Sequence, residues 1–161
     1  MSYVQSVLVP GETVIVQARI HWFIYLDVLF WLLLGAALSL LLPLPFAILG
    51  YLLLAYGLFL AIKDWIHVAS TELAVTSARV IAKFGFIRRE TVELRHSKVE
   101  SLQVNQSILG RIFNYGSVVI TGSGGTHAPI PYISDPLKFR SLALTGMEAT
   151  AGEPSAAHDP E

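Results

Sequence analysis

The chain has 161 residues, 53% of them apolar and 14% charged, with a formal net charge of −1. That is too apolar for an ordinary soluble domain, and the near-neutral balance supplies no basic stripe for nucleic acid. It has no cysteine, which excludes disulfides, thiolate metal sites and a cysteine nucleophile.

Residues 1–20 form an N-terminal cytoplasmic segment in which Val14, Val16, Ala18 and Ile20 alternate with Ile15, Gln17 and Arg19. A period of two predicts a strand, able to pair with a sheet formed later in the chain. Residues 28–62 then carry no charge at all. As one helix they would reach about 52 Å, against a hydrocarbon core of about 30 Å, so the chain has to fold back. Pro43-Leu44-Pro45 marks the turn, because proline removes a backbone donor and disfavours helix before it. The expectation is a transmembrane hairpin over residues 21–64, with helices at about 22–42 and 46–63. A cleaved leader fits poorly, since a mixed segment without a basic start precedes the apolar run and a second span follows it.

The hairpin tip is uncharged, whereas Arg19 precedes the first helix and Lys63, Arg79 and Lys83 follow the second. The positive-inside bias therefore predicts a multi-pass inner-membrane protein of a bacterial cell with both termini in the cytoplasm. Trp22 and Trp65 are placed as interfacial anchors. Gly35 and Ser39 share a face of the first helix, and Gly57 and Ala61 share a face of the second, spacings that let backbones approach closely. Packing within the hairpin is preferred to packing between subunits. Asp27 is the one acid inside the apolar zone, and hairpin geometry puts Lys63 within its reach. An interfacial ion pair is expected there in preference to an ion relay.

From Trp65 onward the pattern turns to short β-rich segments, predicted at 69–76, 79–84, 89–95, 99–104, 117–121 and 129–133. Ser107 is a suitable N-cap for a short helix over 108–113, with Asn114 and Gly116 as its stop. Asp135-Pro136 predicts an N-cap and first-turn proline for a closing helix through Leu144. Residues 65–145 thus read as one domain, a strongly bent antiparallel barrel or sandwich with a C-terminal helix, and residues 146–161 as a disordered acidic tail. The fold class is α+β, joined to a membrane hairpin. Between Lys63 and Thr145 there are ten Lys/Arg against six Asp/Glu, an excess of four positive charges. A solvated surface explains that excess better than a dedicated anion site.

The run Glu72-Leu73-Ala74-Val75-Thr76, then Gly85 through Thr91, Lys98-Val99-Glu100-Ser101-Leu102, Gln106 through Arg111 with Tyr115-Gly116, and Asp135-Pro136-Leu137 occur in this order. With Pro10-Gly11-Glu12 and His21-Trp22 ahead of paired spans, the chain resembles the bacterial pleckstrin-homology-like (YdbS-type) family of small membrane proteins. The resemblance implies a bent barrel capped by a helix at the cytoplasmic face, and a binding or assembly role without catalysis or cofactor.

The turn holding Phe84, Phe86, Arg88 and Arg89 is the candidate lipid- or partner-binding surface, since aromatics beside arginines suit a phosphate headgroup layer. Arg79 and Lys83 are candidates to join that patch, but a phenylalanine filling the core, with the arginines paired to Glu90 or Glu93, is the preferred reading. Residues 122–126 are Gly-rich but lack the Lys-Ser/Thr and helix of a phosphate loop, so they predict a hairpin turn. The five histidines show no helical metal-ligand spacing. The expected function is a membrane-anchored module that scaffolds proteins, as a homo-oligomer or with a protein partner. Anionic-lipid recognition is the alternative, and a pore, transporter or enzyme the weakest reading.

Overall fold

Among the residues that the computed structural model describes, 3–85, 90–123 and 125–151, the chain forms five α-helices and seven strands. After α1 (Tyr3–Val7) and β1 (Val14–Gln17), a 3-10 turn at Trp22–Tyr25 leads into α2 (Leu26–Leu41). Pro43 then caps α3 (Leu44–Ser70) with φ −65° and ψ 160°, and Pro45 sits in the first turn, where its missing N–H leaves no bond unmade. The break thus falls at the expected prolines, but α3 outruns the expected end at Lys63 by a further seven residues. Nothing in Asp64-Trp65-Ile66-His67-Val68-Ala69-Ser70 stops a helix, and Asp64 and Ser70 turn inward.

The two apolar helices pack along a seam of small residues. A Cβ at Gly50 would stand 2.5 Å from the Ser39 backbone nitrogen and 2.8 Å from the Gly35 carbonyl oxygen. The helices touch there backbone to backbone. Gly35 and Ser39 therefore face Gly50 and Leu54, whereas Gly57 meets Leu32. Gly50 is the contact that the small-residue spacing of the sequence did not single out.

The strands are β2 (Glu72–Thr76), β3 (Arg79–Phe84), β4 (Glu90–Arg95), β5 (Val99–Asn105), β6 (Tyr115–Gly122) and β7 (Thr126–Ser134), with α4 (Ile108–Ile112) between β5 and β6 and α5 (Pro136–Ala151) at the end. They make two antiparallel sheets in the orders β1-β2-β3-β4 and β5-β6-β7. The expected barrel does not close. Instead, residues just after β1 cross from one sheet to the other: the Ala18 amide donates to the Leu73 carbonyl, Ile20 bridges Ile133, and the Ser134 amide donates to the Arg19 carbonyl. The Gly-rich segment connects β6 to β7 as a hairpin, Gly122 opposite Thr126, with Gly125 at φ +80°.

Between the sheets lie Leu73, Val75, Val80 and Ala82 from the first, and Leu102, Val118, Ile120, Ile130 and Ile133 from the second. Phe139, Ala143 and Met147 of α5 complete this core, four residues apart on one stripe of the helix. That stripe explains why α5 continues through Ala151 rather than stopping near Leu144, taking up residues 146–151 that composition had assigned to a disordered tail. Asp135 precedes the helix at φ +47°, its carbonyl accepts from the Phe139 amide, and its carboxylate accepts from the Asn114 side-chain amide, which ties the start of α5 to the end of α4. The outer face of the first sheet is not bare: Val4 of α1 packs on Ala74 and Ile81.

Candidate functional site

The chemistry-bearing residues collect in three places: where the hairpin meets the sheets, on the outer face of the first sheet, and between the turn after β4 and α5. At the hairpin base, His21 accepts from the Phe23 amide through Nδ1 at 3.1 Å, which caps the 3-10 turn. Its own amide donates to the Tyr132 carbonyl. Tyr132 holds φ +56° inside β7, a conformation uncommon for a bulky residue. Its ring stacks on Tyr115 at 5.9 Å between centroids, Tyr115 stacks on Phe23 at 4.2 Å, and Phe23 meets Phe113 at 5.2 Å. These rings therefore lock the second sheet, and the end of α4, onto the first turn of the hairpin.

Below those rings is a cavity of about 340 Å³ lined by Ile24, Asp27, Lys63, Asp64, His67, Pro131 and Tyr132. Asp27 and Lys63 do reach one site, as expected. The lysine ammonium, however, pairs with Asp64 at 3.3 Å, so the predicted Asp27–Lys63 pair gives way to a bond with the sequence neighbour. Asp64 is only 7% exposed, and the ammonium of the largely exposed Lys63 partners its carboxylate.

On the outer face of the first sheet, Arg79 is held by four hydrogen bonds. Its Nε and Nη2 each donate to Glu12 at 3.1 Å, Nη1 donates to Glu93 at 2.9 Å, and Nη2 also donates to the Val7 carbonyl at 2.8 Å. The Glu12 side chain is 3% exposed and also accepts from the Thr76 hydroxyl at 2.6 Å and the Val9 amide at 2.9 Å. Burial alone would raise the Glu12 pKa, but the bonds from Thr76, Val9 and Arg79, with the arginine's charge, carry it below the ordinary 4.5. Arg79 is thus a structural clamp between the N-terminal segment and β3, with four of its five N–H donors spent within the chain. Lys83 sits over the Tyr3 ring at 4.6 Å, while Glu72, opposite Lys83 in the ladder, accepts from the Tyr3 and Val4 amides at the start of α1. Phe86, Arg88 and Arg89 lie outside the described residues.

A further cavity, about 550 Å³, opens between the turn after β4 and the last turns of α5. His96 meets Thr150 through Nδ1 at 3.1 Å, and its Nε2 is buried without a hydrogen-bond partner. Burial lowers its pKa, with the backbone of Thr76 and Arg79 close enough to oppose the shift but not in hydrogen-bond geometry with Nε2. No local sequence pattern marks the Glu12–Arg79 clamp or the buried Asp64 as special.

Residues 16–144 match a family model described as bacterial PH domain. The match starts inside β1, runs through both apolar helices and ends in α5, so it takes in the hairpin along with the sheets. Comparison with curated proteins and with solved structures gives no match.

Proposed function

This chain belongs to the bacterial PH domain family, and on that premise we propose that it is a non-catalytic binding module, held by its hairpin at the cytoplasmic face of a bacterial inner membrane, that assembles with copies of itself or with another protein. The observation that carries the anchoring is how little of the hairpin the protein covers. The most apolar 18-residue windows of Trp22–Leu41 and Leu44–Ser70 each have a mean hydropathy of 2.1, yet they are only 17% and 22% buried. A core helix of a soluble protein would be mostly covered, and so large an apolar surface in water is an aggregation liability. Twenty residues of helix are about 30 Å long, which suits a bilayer core.

The hairpin starts and finishes on the side of the sheets, so Arg19, Lys63, Arg79 and Lys83 stand on one side and the uncharged tip on the other. The positive-inside bias then favours cytoplasmic termini. Confinement to the membrane plane raises the effective concentration of the domain, allowing weak domain contacts to hold an assembly together. Assembly is preferred to anionic-lipid recognition because most donors of Arg79 are spent within the chain and Lys83 lies over the Tyr3 ring.

The test is the mass of the full-length protein in detergent and in nanodiscs, with lipid retention followed by native mass spectrometry. A discrete oligomer in both media supports assembly. A monomer that retains phosphatidylglycerol over phosphatidylcholine would reject self-assembly and favour the lipid reading.

A further inference from the structure

The first residues of the hairpin are packed against a short helix whose outer side nothing among the described residues covers. Ile108 is 79% exposed, Ile112 69%, Leu109 52% and Phe113 43%. A five-residue helix with three large apolar groups open to solvent, and a fourth at its C-cap Phe113, is an expensive arrangement for a surface turn in water. It is also a defined one. Ser107 caps it by accepting from the Gly110 amide at 3.1 Å, Gln106 donates to the Gly110 carbonyl at 3.3 Å and to the Tyr115 carbonyl at 3.1 Å, and Gly110 is buried against the Tyr115 carbonyl. The backbone is fastened on its inner side, so the apolar groups have no route inward.

Its height relative to the hairpin is set by aromatic contacts. Phe113 meets Trp22 edge to face at 6.5 Å and Phe23 at 5.2 Å. Trp22 is 57% exposed at the start of the first helix, and Trp65, 65% exposed, stands one turn above Ala61 on the second. Counting back from the tip at Pro43, both tryptophans lie about twenty residues away, at the depth where indoles sit at a membrane boundary. The helix α4 is therefore level with the edge of the membrane that the hairpin would cross. Arg111, in the last turn, makes no ion pair among the described residues, and it projects from the same element.

We propose that α4 is a second membrane contact: Ile108, Leu109, Ile112 and Phe113 enter the headgroup and acyl boundary of the cytoplasmic leaflet beside Trp22, with Arg111 at phosphate level. The ligand is the lipid surface itself, and the inference rests on the anchoring read for the hairpin. The apolar wedge and the hairpin would hold the sheets at two points, fixing the orientation of the domain as well as its position.

The absence of cysteine allows single labels without other changes. Ile112→Cys, Leu52→Cys and Glu100→Cys full-length proteins, each carrying one nitroxide, are placed in vesicles of phosphatidylethanolamine and phosphatidylglycerol. Electron paramagnetic resonance then compares collision with oxygen, which concentrates in hydrocarbon, with collision with a water-soluble nickel chelate. Leu52, on the exposed side of α3, reports the hairpin, and Glu100, exposed on β5, reports water. The proposal expects the Ile112 label to favour oxygen, as the Leu52 label does, while the Glu100 label favours nickel. An Ile112 label that favours nickel while Leu52 favours oxygen overturns the contact and leaves the anchoring intact. An Ile112 label shielded from both reagents also overturns it, because protein then covers α4. Nickel-favouring labels at both Ile112 and Leu52 would reject the anchoring itself.

Discussion

Replacing Arg79 by alanine removes the guanidinium that fastens the N-terminal segment to β3. The variant loses two bonds to Glu12, one to Glu93 and one to the Val7 carbonyl. Glu12 is left as a carboxylate with a 3% exposed side chain, held only by the Thr76 hydroxyl and the Val9 amide. Stranding one partner of a buried pair costs about 3–5 kcal/mol in general, and the 22% exposure of Arg79 lets water reach the vacated space, so about 2–3 kcal/mol is expected here. That is roughly a 30- to 160-fold rise in local opening. Hydrogen exchange of the full chain in nanodiscs reads it directly at Val14–Gln17 and Glu72–Thr76, with β6 and β7 as internal reference. Exchange in β1 that changes by less than about threefold, equivalent to well under 1 kcal/mol, would refute the clamp.

The same cluster predicts an acid limb. A folded-state pKa below 4.5 means that Glu12 stabilises the fold fully above that value and loses its contribution as the pH falls through the lowered pKa. Protection of β1 should drop in that window, and Glu12→Gln should flatten the drop. For His96 the lowered pKa favours the neutral ring in the fold, so α5 docking should be pH-independent above about 6.5 and weaken as the pH falls below it. The amides of Met147 to Thr150 report this, Glu148 and Arg95 lining the same cavity, and His96→Phe should abolish the dependence. In the hairpin, Gly50→Ala places a methyl 2.5 Å from backbone and should part the helices at a cost of about 1–3 kcal/mol. Spin-label distances between Leu33→Cys and Leu58→Cys should lengthen. Gly57→Ala should be milder, because its nearest neighbour at 2.9 Å is the flexible end of Leu32.

Elements set by local pattern were legible in the chain. Charge exclusion and Pro43-Leu44-Pro45 located the hairpin and its turn, alternation located the strands, and Ser107 located α4 to within a residue. What escaped depends on partners distant in sequence. Arg79 looked like a free surface cation because Glu12, which holds it, is 67 residues away. Likewise, the α5 stripe ending at Met147 gains meaning only once both sheets offer a core. The barrel failed to close for a related reason: strand count says nothing about which edges pair, and here the chain after β1 stitches the two sheets together.

The pairing of β1 with β2 has a consequence for biogenesis. Val14 lies opposite Thr76, so the two strands flank the whole hairpin in sequence, and the sheet is complete only across an insertion of two long helices. During synthesis, β1 waits without a neighbour until the ribosome has passed Thr76. A floppy loop of that length would have to be closed against its own entropy, whereas a hairpin already folded at Gly50 brings its two ends together in advance. Helix pairing would therefore come first and sheet closure second, and a chain whose hairpin had failed to pair would leave β1 as an unmatched edge exposed to the quality-control proteases of the cell.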